Sequence, residues 1–394
     1  MKLRSLVPIL GVLAAPLFAG ESVVTVADGT KLKLSGWVDT TFTASDTTDD
    51  KVKATNMDTG FYAKASLKAE VTFEKVRVYT NLWIDPDFAQ LQTREAYVAL
   101  TLPNSLTLTT GKYINHVGWL AAEPTGLFTV NASTIGYTGA YGNDVVGAKL
   151  NWASTMIDVQ VDINNGYFSL GDEKSRSTAP QGRSRSGLGY GADVVVRPPV
   201  DGLSMNVEWA YDQTSGAAAG TTGGDIWQVG FNATYAGKDT KIESLKPITV
   251  GLEYIYRKAM GSSTTAGTDI TRNQDSAEWN QGMFLINYVL PADKLPFPMA
   301  LTGMVQYINR ATGTTQGVGP TLANETGTSR ATEFALALMT NPFKVSNLGV
   351  NFEIAWNNKK DVSFSTDQAQ GNAVVRTETK SKGPTATVEV FASF

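Results

Sequence analysis

The feature that most constrains the fold of this chain is a strict alternation of apolar and polar residues between Phe61 and Phe73. The odd-numbered positions of this stretch carry Phe, Ala, Leu or Val, whereas the even-numbered positions carry Tyr, Lys, Ser, Glu or Thr. Because successive side chains of a β-strand point to opposite faces, the stretch predicts a strand with one apolar and one polar face. One such strand fits a soluble sandwich as well as a membrane barrel, so the rest of the chain has to distinguish the two.

The same alternation recurs along the whole sequence, in segments close to the ~9–11 residues that a tilted transmembrane strand needs. The sixteen segments are 32–42, 61–73, 76–84, 96–102, 106–108, 146–152, 157–163, 188–196, 203–211, 227–235, 248–256, 284–290, 299–307, 334–338, 348–356 and 388–394. After the N-terminal region no apolar run reaches the ~18 residues of a membrane helix. The sequence therefore predicts an all-β fold, namely a transmembrane antiparallel β-barrel of about sixteen strands.

The connections between these segments alternate in length. The short ones are 74–75, 103–104, 154–155 and 198–202. The long ones, rich in Gly, Ser, Thr and Asp, are 43–60, 113–143, 166–187, 213–224, 258–278, 311–330 and 358–384. Only 85–90 is short where a long connection is expected. Short periplasmic turns at one rim and long extracellular loops at the other are typical of outer-membrane barrels, and they require an even number of strands.

Residues 1–20 predict a secretory signal peptide, because Lys2 and Arg4 precede a compact apolar stretch that ends in small residues. The apolar stretch 6–18 is too short to cross a bilayer as a helix, which takes ~20 residues. We therefore expect export, followed by insertion into the cell outer membrane.

The remaining residues, 21–394, are predicted to form a single barrel domain, because neither a linker nor a break in composition divides them. The closing segment ends in Phe394, which resembles the C-terminal insertion signal of bacterial outer-membrane proteins. The chain has no cysteine, so disulfides do not contribute to its stability. Its formal net charge of −4 offers no electrostatic reason to bind nucleic acid.

The polar face of the predicted strands carries many ionisable groups, which cannot all be packed in a dry core. A sixteen-stranded barrel is wide enough to hold the water that they need. The charged residues predicted to line this lumen and to set its selectivity are Lys33, Asp39, Lys64, Lys68, Glu70, Arg77, Lys112, Glu123, Lys149, Asp158, Asp162, Glu208, Glu253 and Glu353. Acidic groups outnumber basic ones in the later strands, so we expect a weak cation preference.

Two further features bear on the lumen. Inward aromatic residues fall on the first four predicted strands, where they could stack on sugar rings or pack beneath an inserted loop 113–143; we favour the packing. They are Trp37, Tyr62, Tyr79, Trp83 and Tyr97. The loop 113–143 is more apolar than a solvated loop, which favours a constriction loop folded into the barrel over a surface loop that covers a neighbour.

No motif in the sequence predicts catalysis, a metal site or a cofactor. His116 is the only histidine and falls on a predicted loop, where no strand residue is expected to partner it. We therefore expect a protein that is not an enzyme, whose partners are outer-membrane lipid and lipopolysaccharide, small hydrophilic solutes and ions.

The outward aromatic residues are concentrated in the later half of the chain. The early strands carry small outward residues instead, among them Gly36, Ala63, Ala65 and Ala69. Small residues let a second protein surface approach closely. They favour a subunit interface of a homotrimer, formed by the early strands and the last one, although composition alone could also produce them.

Three short segments resemble the OmpL-like putative β-barrel porin family, namely 34–40 (LSGWVDT), 95–98 (EAYV) and 109–112 (TTGK). The resemblance covers about the first 165 residues. It implies passive diffusion across the outer membrane and supplies no site residues. The leading function is thus a porin; the alternatives are a non-conducting structural or adhesive barrel, or a saccharide-selective channel.

Overall fold

The computed structural model describes residues 22–25, 30–49, 55–85, 90–120, 127–130, 137–141, 144–168, 188–213, 225–259, 263–266, 270–273, 277–315, 325–342, 348–367 and 373–394. The predicted signal peptide, residues 1–20, lies outside these ranges. Within them, none of the helices is long and apolar enough to cross a lipid bilayer.

Nineteen strands occur in the described part of the chain. They are β1 (Ser22–Thr25), β2 (Lys31–Asp49), β3 (Thr55–Phe73), β4 (Val76–Asp85), β5 (Gln90–Thr101), β6 (Leu106–Tyr113), β7 (Val145–Ala153), β8 (Ile157–Asn164), β9 (Gly189–Val196), β10 (Leu203–Asp212), β11 (Ile226–Ala236), β12 (Ile248–Ala259), β13 (Ser263–Ala266), β14 (Ile270–Asn273), β15 (Ala277–Val289), β16 (Met299–Thr315), β17 (Glu325–Thr340), β18 (Leu348–Asp367) and β19 (Ala373–Ser393). The remaining elements described are short 3-10 turns at Tyr137–Ala140, Gly237–Asp239, Glu243–Leu245 and Ala292–Lys294.

Sixteen of these strands form a closed barrel. Each pairs antiparallel with its neighbour along the chain, and β19 pairs with β2 to complete the circle. The strand β1 is an addition, paired with the first residues of β2, while β13 and β14 form a separate hairpin. Each of the sixteen predicted segments lies on a strand of its own, which confirms the predicted fold class.

The barrel is apolar on the outside and polar on the inside. On β18, for example, Phe352 and Ile354 are 46% and 62% exposed, whereas the intervening Glu353 is 3% exposed. The same alternation puts Phe334 outside and Glu333 inside on β17. An outer surface of this kind suits hydrocarbon, and closure pairs the backbone groups that hydrocarbon could not satisfy.

Several strands are longer than the alternation predicts. Regions expected to be loops, 43–60, 311–330 and 358–384, are in large part extensions of β2, β3, β16, β17, β18 and β19. These extensions are mostly polar on both faces, so they carry little alternation signal. The backbone ladder needs no apolar face, and their many Thr residues favour extended structure.

The short turns at the opposite rim agree with the sequence. Glu74, Asn104, Ser105 and Gly202 adopt positive φ in three of them, the left-handed conformation that tight reversals require. The connection at 85–90 was expected to be short, and its central residues 86–89 lie outside the described residues.

Candidate functional site in the barrel interior

The two halves of the inner wall differ in their exposure to solvent. On β10–β12 and β15–β19 most inward side chains are buried, whereas on β2–β7 many remain partly exposed. A barrel wall buries its inner face only where something lies against it. Described residues of the loop between β6 and β7 lie against β10, β12, β15 and β18 of this half.

Glutamates of the wall fix the first part of this loop. The backbone N–H of Gly118 donates to both carboxylate oxygens of Glu208, at 3.1 and 3.0 Å. The next N–H, that of Trp119, donates to Oε1 of Glu253 at 2.6 Å. Hydrogen bonds to charged acceptors are the stronger ones in proteins, so these two wall carboxylates hold the loop firmly.

The same type of contact recurs further along the loop. The hydroxyl of Tyr141 donates to the second oxygen of Glu253 at 2.6 Å, and the N–H of Val130 donates to Glu353 at 2.8 Å. Burial, followed by the charge of Glu253, raises the pKa of the Tyr141 phenol well above its usual value. The phenol therefore stays protonated and remains a donor.

Donors of the wall bind carbonyl groups of the loop in turn. Arg257 donates to the carbonyl of Ala140 and, at 3.5 Å, to that of Gly139. Gln281 donates to the carbonyl of Tyr137 at 2.6 Å. Side chains from β10, β12, β15 and β18 thus bind both donors and acceptors of the loop backbone.

Apolar contacts complete the attachment. Leu120 and Tyr137 of the loop share a buried cluster with inward side chains of β15–β18, namely Met283, Leu285, Met304, Ile308, Ala331, Ala335 and Ala355. The Trp119 ring lies over Gly251, where a Cβ atom would come within 2.0 Å of it. Burial of this kind supplies the non-directional part of the attachment.

The sequence carries a signal for this packing of the loop against the wall, namely apolar side chains at inward positions of the strands. The sequence interpretation did not use it. A strand facing lipid on one side and water on the other has no reason to place Met283, Leu285, Met304 and Ile308 toward the water. Their presence on the inner face of β15 and β16 indicates a protein surface packed against that wall.

A second group of contacts surrounds His116, which lies at the start of the same loop. Its Nδ1 is 3.4 Å from Oδ2 of Asp162 on β8, and the Tyr167 hydroxyl donates to the same carboxylate at 2.6 Å. The sequence interpretation that no strand residue partners His116 is therefore wrong, because sequence distance concealed the contact with β8. Burial raises the pKa of Tyr167, so this phenol is a donor.

The segment after β8 also enters the barrel. The backbone N–H groups of Tyr167 and Phe168 donate to the two oxygens of Asp212, at 2.7 and 2.6 Å. The centre of the Phe168 ring lies 3.8 Å from the guanidinium carbon of Arg257. Because Arg257 also binds the β6–β7 loop, it contacts both segments. The described start of the predicted loop 166–187 is thus packed inside the barrel.

The structure separates the predicted lumen charges by sign. Five acidic ones are buried, namely Asp39, Asp162, Glu208, Glu253 and Glu353. The basic residues Lys33, Lys64, Lys68 and Lys149 are inward and half-buried, and Arg77 is inward and exposed. Of the other acids, Glu70 is 3.9 Å from Arg77, Asp158 pairs with Arg197, and Glu123 lies outside the described residues.

The predicted lumen position of Lys112 is wrong. Its register partners, Ala96 on β5 and Val146 on β7, belong to the outward face, on which Val146 is 43% exposed. Lys112 is an even number of residues from Leu108, which also points outward, so the period of two puts both on the same face.

The inward aromatic residues contact one another. Trp37 is 1% exposed, and its ring meets that of Trp83 edge-on at 5.3 Å. Tyr79 stacks on Tyr97 at 5.1 Å. Tyr62 takes part in neither of these two pairs and is 42% exposed. The described contacts of the β6–β7 loop, by contrast, lie mainly on β10–β18.

Three solved structures are similar to this one over nearly the whole chain. The anion-selective porin from Comamonas acidovorans has 14% identity and a TM-score of 0.58, covering 93% of this chain and 100% of its own. The outer membrane channel DcaP of Acinetobacter baumannii has 12% identity and a TM-score of 0.56, covering 94% and 99%. OmpT of Vibrio cholerae, expressed in the outer membrane, has 12% identity and a TM-score of 0.53, covering 95% and 100%.

At these identities the likeness shows the fold alone, which is that of outer-membrane porins and channels. No protein-family model matches the sequence, and no curated protein matches it. The resemblance to the OmpL-like family therefore stays a prediction.

Proposed function

We propose that this chain is an outer-membrane porin, a water-filled channel for passive diffusion of ions and small hydrophilic solutes. The partly exposed, charged inner wall of β2–β7 carries this proposal. A barrel plugged by its own loops would bury both halves of its inner face, whereas here the covered half is β10–β19. The exposed half supports a continuous aqueous path beside the loop.

The loop 113–143 narrows this path in our proposal. Hydrogen bonds to Glu208, Glu253 and Glu353 hold described parts of the loop against the wall. The loop therefore reduces the open cross-section of the channel. The protein then acts as a sieve with a fixed constriction, and no step of its function requires catalysis.

The outer face supports a location in the outer membrane. Exposed apolar side chains surround the barrel, and aromatic residues such as Trp209, Tyr254 and Trp356 are among them, as in the interfacial girdles of such barrels. Outer-membrane lipid and lipopolysaccharide are accordingly the proposed surroundings.

A homotrimer is part of the proposal, with the outer face of the early strands and β19 as the interface. Ala63 is exposed on this face, and Ala65 and Ala69 are partly exposed. Gly36 is instead covered by the chain's own Phe394 ring, so it does not contribute to subunit approach. Native mass measurement in mild detergent tests this point: a trimer supports it, and monomer alone refutes it.

Single-channel recording in planar bilayers tests the channel itself. Purified protein is expected to give stepwise increases of current. A silent protein that is folded and inserted would refute the proposal and support the non-conducting structural or adhesive alternative.

Oligosaccharides added to the conducting channel test the saccharide-selective alternative. We expect no block of the current, because Trp37 is buried and Tyr79 stacks on Tyr97. Concentration-dependent block would show that these rings rearrange to bind sugars.

The weak cation preference expected from the sequence loses its basis in the structure. That expectation counted Glu208, Glu253 and Glu353 as charges in contact with the lumen, whereas all three are buried.

A further inference from the structure

We infer that the channel selects small anions over cations, and that lysine and arginine side chains on β2, β3, β4 and β7 provide this selectivity. The inference rests on the proposed channel function and adds the class of solute. It depends on which inward charges contact water, rather than on how many the inner wall carries.

Acidic groups of the inner wall are engaged by other parts of the protein. Glu208 and Glu253 are each 1% exposed, and each accepts a hydrogen bond from one backbone N–H group of the loop. Asp162 accepts from Tyr167 and Asn164, and Asp212 accepts from two backbone N–H groups. A carboxylate neutralised in part by N–H and O–H donors and shielded by a loop attracts passing cations weakly.

Further acidic groups of the inner wall are also buried. Glu389 is 1% exposed and receives a hydrogen bond from Asn351, and Asp39 lies beside it. Glu333 is 1% exposed. At the turn-side rim, Asp158 is paired with Arg197, which leaves no net charge at that point.

The basic groups of the opposite wall keep contact with solvent. Lys33, Lys64 and Lys68 lie on the inward register of β2 and β3 and are half-buried, and Arg77 on β4 is exposed. Lys149 extends the same wall to β7.

Aromatic rings hold two of these cations in place. The Lys149 ammonium lies 4.7 Å from the centre of the Tyr113 ring, and the Arg77 guanidinium lies 5.5 Å from that of Tyr97. A contact with a ring face orients a cation without cancelling its charge. Arg77 also lies 3.9 Å from Glu70, so part of its charge is offset there. On the covered half, the exposed Arg310 lies 4.0 Å from the Trp279 ring in the same way.

Fixed charges along a narrow aqueous path raise the local concentration of ions of opposite sign. Glu70, Glu95 and Asp193 are also inward and partly exposed, but the basic residues with solvent contact outnumber them, namely Lys33, Lys64, Lys68, Arg77, Lys149 and Arg310. Because the charges in contact with this path are thus mainly basic, chloride, phosphate and small carboxylates are expected to be enriched. The solute class is thus small anions.

The reversal potential of single channels in a potassium chloride gradient tests the inference. Wild-type protein is expected to give the anion-selective sign. Raising the salt from 0.1 M to 1 M should reduce the selectivity, since the screening length falls from ~10 to ~3 Å. Stepwise channels with the cation-selective sign would overturn the inference and leave the channel function standing, whereas the absence of channels would overturn the channel function.

A matched pair of variants tests the residues. Replacing Lys64 and Lys68 together by Gln should lower the chloride-to-potassium permeability ratio by about twofold per lysine, as expected for a unit charge several ångströms from the ion path in water. Lys112→Gln removes one positive charge from the outward face and should leave the ratio unchanged. Equal ratios in the two variants would refute the role of this wall.

A third variant keeps this test decisive if the double variant does not fold. Lys149→Gln removes one charge on β7, and its ratio is expected to fall while that of Lys112→Gln does not. A Lys149→Gln channel with the wild-type ratio would count against the inference. The heat-modified mobility of each protein on gels reports whether its barrel has folded.

Discussion

Gly36 and Phe394 exchange two backbone hydrogen bonds, from Gly36 N to Phe394 O at 2.8 Å and from Phe394 N to Gly36 O at 2.9 Å. This contact lies where β2 and β19 meet, so it is part of the seam that closes the barrel. The Phe394 ring covers Gly36 on the outer face: a Cβ atom on Gly36 would lie 2.7 Å from its Cζ and 2.3 Å from the carbonyl of Ser66.

Gly36→Ala is therefore expected to destabilise the barrel by about 1–3 kcal/mol, the usual penalty for overpacking. Urea unfolding in detergent measures the change. Gly303→Ala is the control, since a Cβ atom there meets only an Ile286 methyl at the ordinary distance of 3.8 Å. Equal stability of the two variants would show that the seam adapts to the methyl group without cost.

Glu253→Ala should increase single-channel conductance, because it removes the acceptor for both Trp119 N and the Tyr141 hydroxyl. Each of these charged hydrogen bonds contributes ~1.5–3 kcal/mol to holding the loop. Glu253→Gln keeps one acceptor oxygen and should have a smaller effect. Glu243→Ala, at an exposed turn, is the control and should conduct like the wild type; conductance unchanged in Glu253→Ala would exclude the loop as the constriction.

Arg257→Lys should loosen the segment 137–141 while keeping the positive charge. The guanidinium reaches Gly139 O and Ala140 O and also bonds to Gln228, a fork that an ammonium group cannot reproduce. Faster hydrogen exchange of the 137–141 amides is the expected result. Lys258→Arg, at a partly exposed neighbouring position, serves as the control, and unchanged exchange in Arg257→Lys would contradict the anchoring role.

The stability of the barrel should decline in strongly alkaline solution. Burial raises the pKa of the Tyr137, Tyr141 and Tyr167 phenols above the ordinary value of 10.0, so their protonated forms stabilise the folded state. This stabilisation is fully present below pH 10.0 and is lost as the pH rises from there toward the higher folded-state values.

Unfolding midpoints measured from pH 8 to pH 12 check this prediction. Tyr167→Phe should flatten the alkaline decline, because the ring stays and the titrating hydroxyl is removed. Tyr254→Phe, on the exposed outer face, should decline like the wild type. A flat wild-type profile would contradict the predicted role of the buried phenols.

The strand count and the two faces of the barrel could be predicted from the sequence because both depend on a local period of two residues. Where that period is lost, prediction failed: the polar extensions of β2, β16, β18 and their partners were interpreted as loops. Lys112 was assigned to the wrong face, although its spacing from Leu108 already placed it outside.

The sequence by itself determined how many strands the barrel has and which side chains point inward, since the alternation of a strand follows from its own backbone. Only the tertiary structure decided which inward charges meet water. The loop after β6 lies against Glu208, Glu253 and Glu353, and the segment after β8 lies against Asp212. Those contacts join residues far apart in the chain, so no local pattern encodes them. They leave the lysine and arginine side chains of the opposite wall in contact with solvent.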